Sequence, residues 1–263
     1  MTKLLPEKPL AGKLLPERTS PTTRAPDVAA PAGGAEAVFV RLGATLFLAD
    51  PSGVLFEPQA RLLVVADLHL EKGSAFAARG VLLPPWDTRA TLRRLAATIA
   101  RLQPAAVIAL GDSFHDVGGP ARLDPQDRAL LADLRHGRDW LWVTGNHDPA
   151  IPPELGGASA DVFRHGGVTY RHAPEAALTE ADGVELCGHL HPVARLRVRG
   201  RSLRRRCFAF GRRRCILPAF GAYAGGLNVR DAAFAPLFPG GLAVRILGEQ
   251  RVFAAPASLL LPD

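Results

Sequence analysis

From Ala37 onward the apolar positions fall into short, regularly broken runs. Those at 37–42 and 45–48 have the length of strands, and 61–66 is almost continuously apolar, as in a strand buried on both faces of a sheet. Between 88 and 102, Leu92, Leu95, Ile99 and Leu102 recur on one face, which predicts a helix with Asp87 as its cap. A second buried strand is expected at 106–110. Asp124, Pro125 and Asp127 then mark a helix start, with a capping side chain, proline at the first helical position and an acid in the first turn; that helix runs to about His136. Further strands are expected at 140–144, 167–171 and 183–187. Strand and helix alternate, so the fold class is α/β. From about Val193 the helices stop. Arg195, Arg197 and Arg199 alternate with Leu196 and Val198, giving one arginine face and one apolar face. Gly200 marks a turn, and 203–210 with 213–217 reads as a hairpin around Gly211 and Arg212.

Residues 1–36 lack this pattern. They are rich in proline, alanine and charge, and carry the pentapeptide KLLPE at 3–7 and again at 13–17. A disordered N-terminal tail is expected there, followed by a single domain over 37–263. Apolar residues make up 48% of the 263, enough for a full core. No run of 18 apolar residues exists and no apolar segment follows Lys3 and Lys8, so neither a transmembrane helix nor a secretory signal is expected. Three cysteines exclude a disulfide framework and point to a reducing, cytoplasmic setting. Cys207 and Cys215 are expected as a reduced pair and Cys187 as a core thiol.

The formal charge is +7, and it is not spread evenly. Residues 193–215 hold ten arginines and no acid, which leaves 22 basic against 25 acidic residues elsewhere. A mildly acidic body thus carries one cationic segment. Arginine presents a planar fork of donors that matches phosphate oxygens two at a time.

Four short motifs sit where strands are expected to end. They are Asp67-Leu68-His69, Gly111-Asp112 followed by His115 and Asp116, Gly145-Asn146-His147-Asp148, and Gly188-His189-Leu190-His191. In open α/β sheets ligands bind beyond the carboxyl ends of strands, so these loops should converge. Carboxylate, imidazole and amide oxygen form a mixed N/O donor set suited to Mn, Fe, Zn or Ni, and poor for Ca or Mg alone. Asp112 could bridge two ions, and a two-ion clamp is a device for phosphoryl displacement. The order and spacing of the four motifs are far more specific than any one of them.

Together they resemble the calcineurin-like metallophosphoesterase superfamily over about residues 61–192. The resemblance implies two packed mixed β-sheets flanked by helices. It implies that Asp67, His69, Asp112 and His191 hold one metal, and that Asp112, Asn146, His189 and a further histidine hold a second. His165 and His172 both lie in the interval where that histidine belongs; His172, which follows a strand-like run, is the better match. By the same resemblance His147 is the catalytic histidine that is not a ligand, with Asp148 expected to orient it. His115 is a candidate substrate contact and Asp116 a supporting residue behind the ligands. ADLHLEKG at 66–73, AARGVLLPPWDTRATL at 77–92, GDSFHD, and LPAFGAYAGGLNV at 217–229 resemble more narrowly the ligase-associated DNA damage response endonuclease (PdeM) family. This implies cleavage of DNA phosphodiesters with two divalent ions, Mn2+ foremost. It also implies an ATP-dependent DNA ligase and a helicase as partners in DNA repair, and the homodimers common among members.

Arg204, Arg205, Arg206, Arg212, Arg213 and Arg214, just after the last ligand motif, are candidate phosphate contacts for such a substrate. A hydrolase for a small phosphoester (a cyclic nucleotide, nucleotide sugar or lipid-linked pyrophosphate) would use the same residues. A non-catalytic adaptor is disfavoured by the intact ligand set and His147.

Overall fold

The computed structural model describes residues 37–263; the expected tail with its KLLPE repeat lies outside them. The first sheet takes its strands in chain order: β1 (Val38–Leu42), β2 (Thr45–Ala49), β3 (Leu55–Glu57), β4 (Leu62–Ala66), β5 (Ala106–Leu110), β6 (Asp139–Val143) and β7 (Ala158–Ala160). The β1 to β4 half is antiparallel and the β4 to β7 half parallel. Four helices interrupt it: α1 (Lys72–Ala77), α2 (Asp87–Leu102), α3 (Gly119–Arg122) and α4 (Pro125–Arg135). The second sheet holds β8 (Val162–His165), β9 (Val168–Arg171), β10 (Val184–Cys187), β11 (Pro192–Val198), β12 (Arg201–Phe210), β13 (Arg214–Ile216) and β14 (Leu227–Asn228). Further strands β15 (Ala243–Leu247), β16 (Val252–Ala255) and β17 (Leu260–Leu261) extend it beside β12 and β11.

Period two along the strands separates the layers. Leu62, Val64, Ala66, Ile108, Leu110, Leu141 and Val143 face Tyr170, Val184, Leu186, Phe208 and Phe210 in the core between the sheets. Leu63, Val65, Val107 and Ala109 point the other way, onto Leu92, Leu95, Ile99 and Leu102 of α2 and Leu131 and Leu134 of α4. Burial of each such aliphatic side chain contributes about 1.5–3 kcal/mol. The expected α/β fold of two packed mixed sheets is present, with one qualification. Among the described residues the α-helices cover only the first sheet. The outer face of the second is covered by Phe234 and Phe238 from a loop, packed with Ala209 of β12 and with Val244 and Ile246 of β15.

The sequence-predicted strands and both longer helices form close to the expected bounds. Asp124 caps α4 as expected, accepting from the Gln126 N–H at 2.8 Å. Asp87 does not cap α2. It is the first helical residue, and Trp86 precedes it without a side-chain cap. Its carboxylate instead accepts from the N–H groups of Lys72 (2.9 Å) and Gly73 (3.1 Å), at the start of α1. Thr88 assists there, its Oγ1 accepting from the Glu71 N–H at 2.8 Å. The start of α1 follows Glu71, which is left-handed at φ 64° and makes no side-chain cap, so the orphan donors of α1 are met from across the interface. All three cysteines are buried and unbonded, in keeping with the expected thiols. Asp87→Ala is expected to lower stability by about 1–2 kcal/mol through loss of this cap, measured as a shift in the urea midpoint with unchanged slope.

Candidate metal centre

β4 pairs parallel with β5 and β10 pairs parallel with β9 and β13, and the loops that follow β4, β5 and β10 meet. The pairing of β4 and β5 continues past the strands. The His69 N–H donates to Asp112 O at 2.9 Å, Leu70 N–H to Ser113 O at 2.9 Å and His115 N–H to Leu70 O at 2.9 Å. Five candidate ligands take left-handed backbone: Asp67 (φ 54°), His69 (43°), Asp112 (45°), His189 (69°) and His191 (47°). Such conformations cost about 1–3 kcal/mol each and persist only where surrounding contacts fix them. Here they turn each side chain inward directly after its strand.

The glycines before three of the four ligand motifs have a steric reason. A Cβ on Gly145 would lie 2.2 Å from Asp112 Oδ1, one on Gly188 would lie 2.3 Å from Asp67 Oδ2, and one on Gly111 would lie 2.4 Å from the His172 ring. Each loop thus leaves room for a ligand carried by another.

Among the described residues, Asp67, His69 and His191 form one donor group and Asp112, His172 and His189 a second; His69 also forms a third with His115 and His147. His69 Nε2 and His191 Nε2 approach to 3.2 Å, and His191 Nε2 lies 3.3 Å from Asp67 Oδ1. In the second group, His172 Nε2 lies 3.2 Å from His189 Nδ1, 3.0 Å from Asn146 Oδ1 and 3.3 Å from Asp112 Oδ2. Asp112 Oδ2 is also 3.9 Å from His69 Nε2, so one oxygen stands between the first two groups. His172 Nδ1 donates to Leu110 O at 3.2 Å, so Nε2 is the ring nitrogen that faces inward. His165 is in none of these groups; it ends β8, with its ring stacked on Phe163.

Burial and the neighbouring His191 bring the His69 pKa down to about 3, against the pull of Asp112. Burial opposes ionisation of Asp112, but the hydrogen bond and charge of His172 with the His147 N–H outweigh it and bring its pKa to about 2. Four imidazoles and the Asp67 carboxylate converging around the shared Asp112 carboxylate form a donor set that fits two divalent cations.

His147 lies beside this centre with its side chain 37% exposed and Nε2 3.9 Å from Asp112 Oδ2. Its Nδ1 is 2.6 Å from the His115 carbonyl, which can only accept, so Nδ1 carries a proton and Nε2 faces the centre. His115 also stacks on the His147 ring, with centroids 5.1 Å apart. Its pKa falls to about 4 through burial and the nearby Lys72 and His147. The orienting role expected of Asp148 therefore belongs to His115. The buried Asp148 carboxylate accepts from the N–H groups of Asp112 (3.0 Å), Ser113 (2.7 Å), Phe114 (3.1 Å) and Gly145 (2.9 Å), stapling the third loop to the second. A carboxylate that accepts two amides on each oxygen is a backbone anchor, and it has no hydrogen bond left for the His147 ring.

Asp116 is turned away from the ligands. It accepts from the Gly118 N–H at 2.9 Å and from Arg122 at 2.7 Å. Three candidate phosphate contacts need the same correction, because their donors are engaged by the protein itself. Arg214 is buried against Glu185 and donates to Glu175 O and Leu237 O. Arg213 donates to Gly183 O and Thr179 O. Arg206 donates to Gly221 O (2.7 Å) and Ala224 O (2.9 Å). Chain carbonyls at loop bends need donors, and an arginine reaches several at once. Arg204, Arg205 and Arg212 remain exposed. So do Arg197, Arg199 and Arg201 around the turn between β11 and β12, which the alternating pattern placed on a strand without marking as contacts.

A further element was unmarked in the sequence reading of the site. Residues 217–226 lie over the first ligand loop: Phe220 N–H donates to Ala66 O and Gly221 N–H to Asp67 O, both at 2.9 Å. The signal available was the glycine pair Gly221 and Gly226. A Cβ there would lie 2.3 Å from Leu68 O and 2.5 Å from His191 O respectively.

With this fold and this donor set, the class of protein is defined, and comparison agrees: the calcineurin-like phosphoesterase family model matches residues 60–206. The chain belongs to that family and is a metal-dependent phosphoesterase. Among solved structures it is similar to the nuclease MPE of Pseudomonas putida, with 26% identity and a TM-score of 0.65 over 84% of this chain and 100% of that one. A protein of unknown function from Aquifex aeolicus is 14% identical, with a TM-score of 0.34 over 49% of this chain and 78% of that one. A conserved uncharacterized protein from Streptococcus pneumoniae is 14% identical, with a TM-score of 0.30 over 76% and 94%. No curated protein sequence matches the chain. No helix among the described residues is long and apolar enough to cross a membrane.

Asp148→Ala strands four amides, each worth about 1–3 kcal/mol when buried and unpaired. It is expected to cost at least about 3 kcal/mol in chemical denaturation, whereas His147→Ala leaves the midpoint within experimental scatter. Equal stability of the two variants would restore the orienting role to Asp148.

Proposed function

We propose that the protein is a two-metal phosphodiesterase that cleaves DNA, acting in repair with an ATP-dependent ligase and a helicase. The observation that carries the DNA reading is the exposed arginine ribbon leading from the metal centre. β11 begins directly after His191, and Arg195 and Arg204 lie opposite each other on one face of the β11–β12 pair. Arg204 donates to Gly226 O at 2.6 Å, beside the ligand loop, and Arg197, Arg199 and Arg201 continue the exposed charge to the hairpin turn. A polyanion crossing the centre would meet this ribbon. The similarity to a solved nuclease supports the same reading.

Divalent cations held by the seven candidate ligands, Mn2+ being the ion we favour, would polarise the phosphoryl oxygens and acidify a bound water. The chain's own residues do the rest. Asp112 holds the two donor groups in register, fixed by the His147 N–H on its Oδ1 at 2.9 Å. His147, with its Nδ1–H tied to the His115 carbonyl, presents Nε2 to the substrate and, in its doubly protonated form, gives the Nε2 proton to the leaving oxygen, keeping the Nδ1 proton. The stacked His115 ring limits rotation of His147 and excludes water from one side of it.

Asp112→Asn and His147→Ala are each expected to lower turnover of an aryl phosphodiester at least 100-fold, with near-wild-type metal content retained in His147→Ala. The substrate is decided by running the Mn2+-loaded enzyme on plasmid, single-stranded DNA, cyclic nucleotides and nucleotide sugars; activity confined to the small substrates would reject the nuclease reading.

Reversal of Arg197, Arg199 and Arg201 to Glu should weaken DNA binding. It should also flatten the slope of log K against log[salt] by up to about 0.9 per lost phosphate contact. Aryl-diester turnover falling by the same factor would instead assign the ribbon to folding.

A further inference from the structure

The β11–β12 hairpin leaves the body of the protein. Pro192 and Val193 pair with β14, Arg195 and Leu196 pair with β17, and from Cys207 onward β12 pairs with β15. Between these points, from Arg197 to Ser202, the two strands pair only with each other among the described residues. Burial follows the pairing. Pro192, Val193 and Ala194 are buried, Arg195 and Leu196 half-buried, and every residue from Arg197 to Ser202 exposed. The hairpin thus ends in a free two-stranded arm. No acid and no aromatic residue occurs between 192 and 206.

The arm carries charge on both faces. Arg197 lies opposite Ser202 in register and Val198 opposite Arg201, so Arg201 projects from the face that Arg197 does not. The side chains of Arg197, Arg199 and Arg201 make no hydrogen bond or ion pair with the described residues. Nearer the body, Arg195 is held by Ser202 Oγ at 2.9 Å and Pro262 O at 3.1 Å, and Arg204 by Gly226 O at 2.6 Å. The turn consists of Arg199 and Gly200, both left-handed at φ 49° and 78°. Such two-residue turns favour Asn-Gly. Arginine in the first position bears a backbone cost that a mere connection would not need, and it sets a third cation at the tip.

These features select a groove with phosphates on both sides. A ribbon with side chains on both faces is about 10 Å thick, and three residues per strand reach about 10 Å. The major groove of B-form DNA is about 12 Å wide and about 8.5 Å deep and admits such a ribbon; the minor groove, about 6 Å wide, is too narrow. The major groove of an RNA duplex is also closed to it. A single strand would set phosphates against one face only, and its bases stack on aromatic rings, which the arm lacks. We propose that the β11–β12 arm enters the major groove of duplex DNA beside the strand that is cut. This rests on the nuclease reading and deepens it, because the substrate then carries a double-stranded part. Arg197 and Arg199 follow His191 by six and eight residues. That is about 20–26 Å along a strand, or about six to eight base pairs at about 3.4 Å each.

The test uses the full-length, Mn2+-loaded protein and a duplex of two helical turns that ends in a single-stranded extension. Wild type marks the phosphate it cuts. His147→Ala, which keeps the metal ligands, is then bound to the same DNA after partial methylation. Methylation of guanine N7, in the major groove, should exclude DNA from the complex when it lies about six to eight base pairs from the cut, and methylation of adenine N3, in the minor groove, should not. In the same background, Arg199→Asn keeps the turn and removes the tip charge, and Arg197→Gln with Arg201→Gln removes the flanking pair. All three together should lower affinity for the tailed duplex at least about tenfold and leave affinity for a single strand of equal length within about twofold. Arg199→Asn installs the residue such turns favour, so a smaller loss of the same selectivity in that variant reports even if the triple variant folds poorly. Equal loss on duplex and single strand, or interference confined to adenine N3, would overturn the arm assignment while cleavage persists. Failure of wild type to cut any DNA would instead reject the nuclease reading, and the inference with it.

Discussion

Five loops from different strands bring seven candidate donor side chains together, and the space between those loops is set by the absence of three Cβ atoms. Gly145 leaves room for Asp112, Gly188 for Asp67 and Gly111 for His172. Because each gap is filled by a ligand from another loop, a change at one glycine displaces a donor that lies far away in sequence. The same interlock explains the left-handed backbone of Asp67, His69, Asp112, His189 and His191. A strand that continued in extended geometry would carry these side chains past the centre. The backbone cost is sustained by the hydrogen bonds that lace the loops together, with the Asp148 carboxylate at their middle.

The arginine-rich segment divides along the same line between anchoring and exposure. Arg206, Arg213 and Arg214 spend their donors on chain carbonyls or, for Arg214, also on the buried Glu185. Replacing such an arginine would expose unpaired carbonyls and, at Glu185, a buried charge. The arginines toward the hairpin turn make few internal contacts, and their charge is available to a partner. Clustering in the sequence did not separate these roles. Burial did, because an interior guanidinium must find acceptors whereas a surface one need not.

Much of the site was legible from residue types and order alone. Every candidate ligand lies at the end of a predicted strand or beside one, and periodicity is reliable for strands such as β4 and β5 whose residues are all buried. His172 could be preferred over His165 because a strand-like run precedes it, and β9 does end there. The failures share a physical cause. Asp87 carries the residue type of a cap and does cap a helix, but α1 rather than its own; local spacing cannot report a partner fifteen residues back. Asp148 adjoins His147 in sequence, yet its carboxylate turns to the amides of residues 112–114, and the orienting carbonyl comes from His115. α1 and β7 were not legible, because six-residue and three-residue elements are too short to show a period.

The 217–226 segment joins these themes. It has no regular structure for most of its length, yet it bonds to the backbone of the first ligand loop on one side and to Arg94 and Arg206 on the other. Arg94 also receives the Phe220 ring on its guanidinium, with 3.9 Å from Cζ to the centroid, so cation–π attraction and a carbonyl hydrogen bond act at one residue. A loop fixed only by backbone hydrogen bonds could part from Asp67 without losing side-chain packing. One clamped by two half-buried cations cannot, since their departure would leave Phe220 O and Gly221 O unpaired. The position of the Asp67 carboxylate is therefore set by charges on the far side of this loop as well as by the strand that carries it.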